Sequence, residues 1–145
     1  MSGATVAADP AVRDFVGRFG DAWARPTAEG LAGLCHPEVR LVQPMMPAMR
    51  GRPEAARGFA ELLARVPDLR GEVVRWSGAG ELVFIELTLT GTLARRPFSW
   101  TVADRILLED GLVRERISYF DPVPLLFESL KAPRTWPGFV RLLRG

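Results

Sequence analysis

Few side chains in this sequence combine proton-transfer chemistry with an apolar setting, and the clearest is Asp104. It follows Phe98, Trp100 and Val102 at two-residue steps, so in a strand all four project from one face. A carboxyl group placed among such neighbours has a perturbed pKa and can act as a general acid or base. Its prospective partner is Arg116 in the following strand, and the turn between them sets how the two meet. Glu109-Asp110-Gly111 can close as a two-residue or a three-residue hairpin loop. The shorter loop would set Arg105 opposite Arg116, so like-charge repulsion favours the longer one with Gly111 left-handed. That register puts Asp104 opposite Arg116, Arg105 opposite Glu115, Val102 opposite Ser118 and Trp100 opposite Phe120. Asp104 and Arg116 then form either a catalytic pair or a structural ion pair, and removing one would leave the other's charge buried and poorly compensated.

Other candidates have plainer alternatives. Gln43, at a strand end before Pro44, could orient a ligand's carbonyl or hydroxyl group, or could satisfy backbone groups. His36, the sole histidine, adjoins Pro37 and fits a helix-end cap better than catalysis or metal binding. Cys35 sits among apolar helix positions and reads as core. Met45, Met46 and Met49 make an apolar, polarisable loop suited to a pocket mouth. Glu86 should point outward near Arg105 as a surface ion-pair residue. No phosphate-cradling glycine loop, Ser-His-Asp set or nucleotide fingerprint is present, and no cofactor or metal is expected.

The elements that must hold these residues follow from periodicity. Asp9-Pro10 offers an N-cap and a first-turn proline, and Val12, Phe15, Val16, Phe19 and Trp23 continue at helical spacing to Arg25-Pro26. Thr27 can cap a second helix bearing Leu31, Leu34 and Cys35 and closed by His36-Pro37. Residues 38–43 alternate as a strand, 44–49 form a loop, and Pro53 starts a third helix with Ala56, Phe59, Leu62, Leu63 and Val66. Four strand signals succeed them, at Glu72–Trp76, Leu82–Leu93, Phe98–Leu108 and Leu112–Asp121. On the second of these, Val83, Ile85, Leu87 and Leu89 share the apolar face. Helices first and a run of antiparallel strands afterwards predict an α+β fold with the helices on one face of a curved antiparallel sheet.

The chain has 145 residues, and at ~100–200 residues per domain that is one domain, expected over 9–145 behind a flexible tail at 1–8. Nineteen basic against seventeen acidic side chains leave +2, and all the basic ones but Lys131 are arginines, scattered with no basic run of more than two residues. Nucleic-acid binding needs a concentrated basic face and is therefore not expected. One cysteine excludes an intramolecular disulfide and fits a reducing, cytoplasmic setting. No apolar stretch of ~20 residues or leader pattern is found, so neither membrane insertion nor secretion is expected.

Set in order, Trp23, His36-Pro37-Glu38-Val39-Arg40-Leu41, Gly51-Arg52, Thr90-Gly91-Thr92, Asp104, Asp110-Gly111 and Ser118-Tyr119-Phe120-Asp121 carry a resemblance. The chain after Asp9 resembles the nuclear-transport-factor-2-like superfamily, in its SnoaL-like, ketosteroid-isomerase-like and limonene-epoxide-hydrolase-like branches. The resemblance implies a cone-shaped sheet over three N-terminal helices, an apolar pocket between them, and frequently a homodimer paired through the outer sheet face, which here bears Ile117 and Tyr119. It implies a small apolar ligand, polyketide-, terpenoid- or steroid-like, isomerised, cyclised or hydrated without a cofactor. Phe19 stands where ketosteroid isomerases carry a tyrosine, and Gln43 where they carry the proton-shuttling aspartate; only their second acid is matched, by Asp104. Ser118 stands at the water-activating aspartate of the epoxide hydrolases, whose Arg–acid pair falls near Ile85 and Leu87. A non-catalytic binding module and an epoxide hydrolase with a rearranged water site are the competing readings. For the enzyme, Asp104 and Arg116 are the expected catalytic residues. Phe19, Trp23, Gln43, Met46, Phe59, Trp100, Val102, Ser118 and Phe120 are expected to line the pocket, with Trp76 a further candidate.

Overall fold

Asp9 opens the first helix, its carboxylate accepting the Ala11 N–H at 2.9 Å, and the chain runs helically over Pro10–Ala24 (α1). The computed structural model describes residues 9–124; the expected tail at 1–8 and the part of the expected domain from 125 to 145 fall outside these. Val12, Phe15, Val16, Phe19 and Trp23 are the buried stripe of α1. Thr27 Oγ1 accepts the Gly30 N–H at 2.9 Å and starts α2, Ala28–Gly33. The third helix, α3, covers Arg52–Arg65 and follows the short strand β2, Met49–Arg50. The first strand, β1, spans Cys35–Val42, and β3 (Arg70–Ala79), β4 (Leu82–Leu93), β5 (Arg96–Glu109) and β6 (Leu112–Tyr119) complete one six-stranded sheet.

The α+β architecture is as expected, with α1 against β3 and α3 against β1 and β2. The sheet, ordered β2-β1-β6-β5-β4-β3, is mixed where a wholly antiparallel one was expected: β1 pairs parallel to β6, with Leu41 beside Arg116. His36-Pro37 does not close α2 but lies inside β1, and the β1–β6 register shifts between Cys35 and Arg40, where Pro37 has no N–H to give the ladder. The Arg114 guanidinium reaches the Glu38 carbonyl there.

The β5–β6 hairpin departs from the expected three-residue loop. Asp110 (φ 53°) and Gly111 (φ 75°) are both left-handed and pair Glu109 with Leu112, a two-residue turn. An extra residue in β6 follows, because Leu108 faces Val113 whereas Leu107 faces Glu115. Asp104 is therefore opposite Ser118, not Arg116, and Arg105 is opposite Ile117, not Glu115. The predicted Trp100–Phe120 pairing has no counterpart, since β6 ends at Tyr119. The two-residue turn alone would have inverted β6; the bulge shifts it by one residue and restores the faces. Val102, Asp104, Ile106, Arg116 and Ser118 are buried as a result, with Val83, Ile85, Leu87 and Leu89 of β4.

Glu86 does point outward, but its partner is Arg75 at 2.6 Å and not Arg105. Arg105 is engaged by Glu115 at 3.1 Å, whose other oxygen takes Arg40 at 3.0 Å.

Candidate active site

A cavity of about 550 Å³ opens between the helices and the sheet. Its floor is Val102 and Asp104 of β5 with Arg116 and Ser118 of β6, its walls include Leu87 and Leu89 of β4 with Phe98 and Trp100, and Phe120 closes one side. Phe98 and Trp100 stack at a tilt, 4.8 Å between ring centres. Trp23 of α1 and Phe59 of α3 meet edge to face at 6.3 Å and form the inner wall. Gln43, Met45, Met46 and Met49 supply a flexible rim, in which Met45 holds a left-handed φ of 68°.

Eight of the nine lining residues read from sequence border this cavity; Phe19 does not. Phe19 lies one layer deeper, at a water-sized void of about 10 Å³, because Trp23 and Phe59 border both spaces and stand over it. Trp76 is also outside the cavity, packed beside Ile85 on β3. Sequence reasoning missed Glu61 and Arg65 of α3, both exposed at the rim. A partial signal existed, since Arg65 lies three residues after Leu62 and four after Glu61.

Asp104 is 2% exposed, and among the described residues its hydrogen-bond partner is Ser118, whose Oγ donates to Oδ1 at 2.6 Å. Burial pushes its pKa up from the ordinary carboxylate value, against the opposing pull of Arg116 and of the Ser118 hydroxyl. The expected ion pair with Arg116 is absent: no guanidinium nitrogen comes within 4.0 Å of the carboxylate, and the described salt bridges are all elsewhere. The two-residue turn and its bulge are together the cause, since they set Ser118 opposite Asp104 and leave Arg116 on the diagonal. Arg116, 6% exposed, gives a long 3.4 Å hydrogen bond to Gln43 Oε1, lies 5.7 Å from the centre of the Phe59 ring, and leaves its Nε buried without a partner. Gln43 is oriented between this guanidinium and the Met46 sulfur, which takes its amide N–H.

The remaining candidates are structural. Cys35 gives its thiol hydrogen to Leu31 O at 3.6 Å, and burial pushes its pKa up. His36 Nδ1 accepts the Glu38 N–H at 3.1 Å within β1, a local backbone contact but not the helix cap expected. No three metal-ligating side chains converge among the described residues. None of the described helices is long and apolar enough to cross a membrane.

A buried carboxyl with a raised pKa on the same cavity floor as a guanidinium, roofed by aromatic and methionine side chains, can move one proton and stabilise one negative oxygen. The sequence model of the SnoaL-like domain matches residues 16–116, most of this fold and both charged groups. The chain belongs to the SnoaL-like family. Solved structures share the architecture of this SnoaL-like domain. A candidate SnoaL-like polyketide cyclase from a Jannaschia species superposes with TM-score 0.74 at 20% identity, over 88% of this chain and 98% of that one. A ketosteroid-isomerase-like protein from Catenulispora acidiphila, in complex with trimethylamine, gives 0.73 at 19% identity, over 80% and 92%. IdmH, a candidate polyketide cyclase from Streptomyces antibioticus, gives 0.68 at 21% identity, over 80% and 96%. No curated protein matches the sequence. At these identities the common property is the fold, so the chemistry must be argued from the cavity itself.

Proposed function

We propose that this SnoaL-like domain binds a small, largely apolar organic molecule of polyketide, terpenoid or steroid type and converts it by cofactor-free acid–base chemistry at Asp104. Isomerisation, cyclisation and hydration are the reaction types one such group serves. The observation that carries this reading is the Asp104 carboxyl, 2% exposed on the floor of a cavity of about 550 Å³. A buried acid with a raised pKa holds a proton nearer to neutrality, where it can both give and take one during a reaction. Ser118 fixes the carboxyl's orientation, and Arg116 supplies positive charge for an oxygen that becomes negative. The apolar walls exclude water and position the substrate's carbon frame.

A non-catalytic binding module is the second reading. Its support is that, among the described residues, the other carboxyl lining the cavity is Glu61, exposed at the rim. No second buried acid is there to share the proton transfers.

The two readings separate on Asp104→Asn, which keeps the shape and the Ser118 hydrogen bond while ending proton exchange. Ligands from a panel of polycyclic ketones and hydroxyquinones can be scored by quenching of Trp23 and Trp100, and conversion followed by chromatography. For an enzyme, turnover falls by ~10²–10⁴ while affinity changes little. Wild-type turnover in the Asn variant would retire Asp104 as the working group and leave the binding module.

We further propose a homodimer paired through the outer sheet face, where Phe84, Leu107 and Tyr119 are 50%, 41% and 54% exposed. Sedimentation at micromolar concentration tests it, a monomer being the contrary result.

A further inference from the structure

The charge balance of the cavity floor points to the kind of molecule that completes it. The arginine guanidinium is a fixed positive charge, and that of Arg116 is almost wholly removed from water. Its contacts do not neutralise it: one is a long hydrogen bond to an amide oxygen, one is the face of Phe59, and Nε has no acceptor at all. None of the described ion pairs includes it: Glu115 is engaged by Arg40 and Arg105, Glu86 by Arg75 and Glu109 by Arg114. Asp104 is beyond ion-pair reach and bonded to Ser118. At the rim, Glu61 and Arg65 are one of each sign and lend no net charge.

A buried cation with no acid partner, on the floor of a cavity large enough for a polycyclic molecule, is a receptor for an anion. We propose that the ligand of this cavity is an organic anion, with its carboxylate, enolate or phenolate oxygen on the Arg116 guanidinium and its apolar body among Trp100, Phe98, Leu89 and the Met46 rim. Gln43 holds the guanidinium from the other side and so acts as a positioning residue. This inference rests on the reading of the cavity as the ligand site, and it narrows that reading from an apolar molecule to an acidic one. It also divides the labour on the floor: Arg116 recognises charge and Asp104 handles the proton.

The test uses a matched pair, anthracene-2-carboxylate and its carboxamide, which share size and outline and differ in charge. Both are titrated against the intact protein at neutral pH by fluorescence. The carboxylate is expected to bind about 10–100-fold more tightly, the range of a charged hydrogen bond in a buried site. Arg116→Met should abolish that preference and Arg116→Lys should retain part of it, because the anion rests on the charge at this position. Equal or tighter binding of the carboxamide by the unaltered protein overturns the charge inference and leaves the cavity reading standing. Binding of neither probe overturns both. A preference that survives Arg116→Met places the anion elsewhere and also refutes the proposal.

Discussion

Asp104→Asn changes the pH dependence of stability in a direction fixed by which charge state the fold prefers. Burial raises the Asp104 pKa above its ordinary 3.8, more strongly than Arg116 and Ser118 lower it. The native state therefore holds a proton at pH values where the unfolded chain has released it, and stability falls as pH rises through the window between the two pKa values. The limiting slope for one such proton is about 1.4 kcal/mol per pH unit. With the residue 2% exposed, little solvent screening dilutes it. Asparagine has no such titration, so the stability of the variant minus that of the wild type must grow with pH across this window. Above the native pKa the difference levels off. Asp68, whose carboxylate is held below the usual range by hydrogen bonds from Thr92, acts in the opposite sense at the acid end, but it is common to both proteins and cancels. Urea titrations followed by tryptophan fluorescence from about pH 4.5 to about pH 9 would measure the difference directly. A difference that stays flat, or that shrinks as pH rises, would mean that Asp104 is ionised and compensated in the fold. Arg116 would then have its counter-charge in Asp104.

Further expectations can be checked with the same measurements. Phe59→Ala removes a ring 4% exposed between Trp23 and Arg116, and should cost about 3–5 kcal/mol; a loss under about 1 kcal/mol would show that the site collapses freely. Gly71→Ala would bring a methyl group to 3.0 Å from Leu89 and 3.1 Å from Leu87 and from the Trp23 Cβ, so overpacking of about 1–3 kcal/mol should appear in the urea midpoint. Asp9→Ala deletes the α1 cap and should cost about 1 kcal/mol, with no effect on ligand binding. Phe84→Glu, at a position 50% exposed, should convert the proposed dimer to monomer in sedimentation while leaving monomer stability within about 0.5 kcal/mol; a persistent dimer would place the interface on another face.

The helix starts, the strand core positions and the burial of Asp104 beside apolar neighbours were legible in the sequence because each rests on local chemistry. A cap needs an acceptor two or three residues ahead of it, as Asp9 and Thr27 provide, and alternation over 98–104 sends every second side chain to one side. Even the wrong hairpin register kept the right faces, because the true two-residue turn and its bulge together preserve the parity that decides inside from outside.

What local chemistry could not decide was which distant segments meet. The parallel pairing of β1 with β6 brings Gln43 to Arg116, residues 73 apart in sequence, and no periodicity encodes that encounter. The two-residue turn and its bulge likewise set Ser118 opposite Asp104 and left Arg116 on the diagonal, turning an anticipated ion pair into two separate groups. The depth of Phe19 was set by Trp23 and Phe59 converging from two helices, and the place of Glu61 and Arg65 at the rim by how α3 is rotated against the sheet. Residue type and spacing determined which groups would be apolar, charged or capping. Their solvation and their partners, which fix whether a carboxyl keeps its proton and whether a guanidinium is compensated, depend on contacts that exist only once the chain has folded.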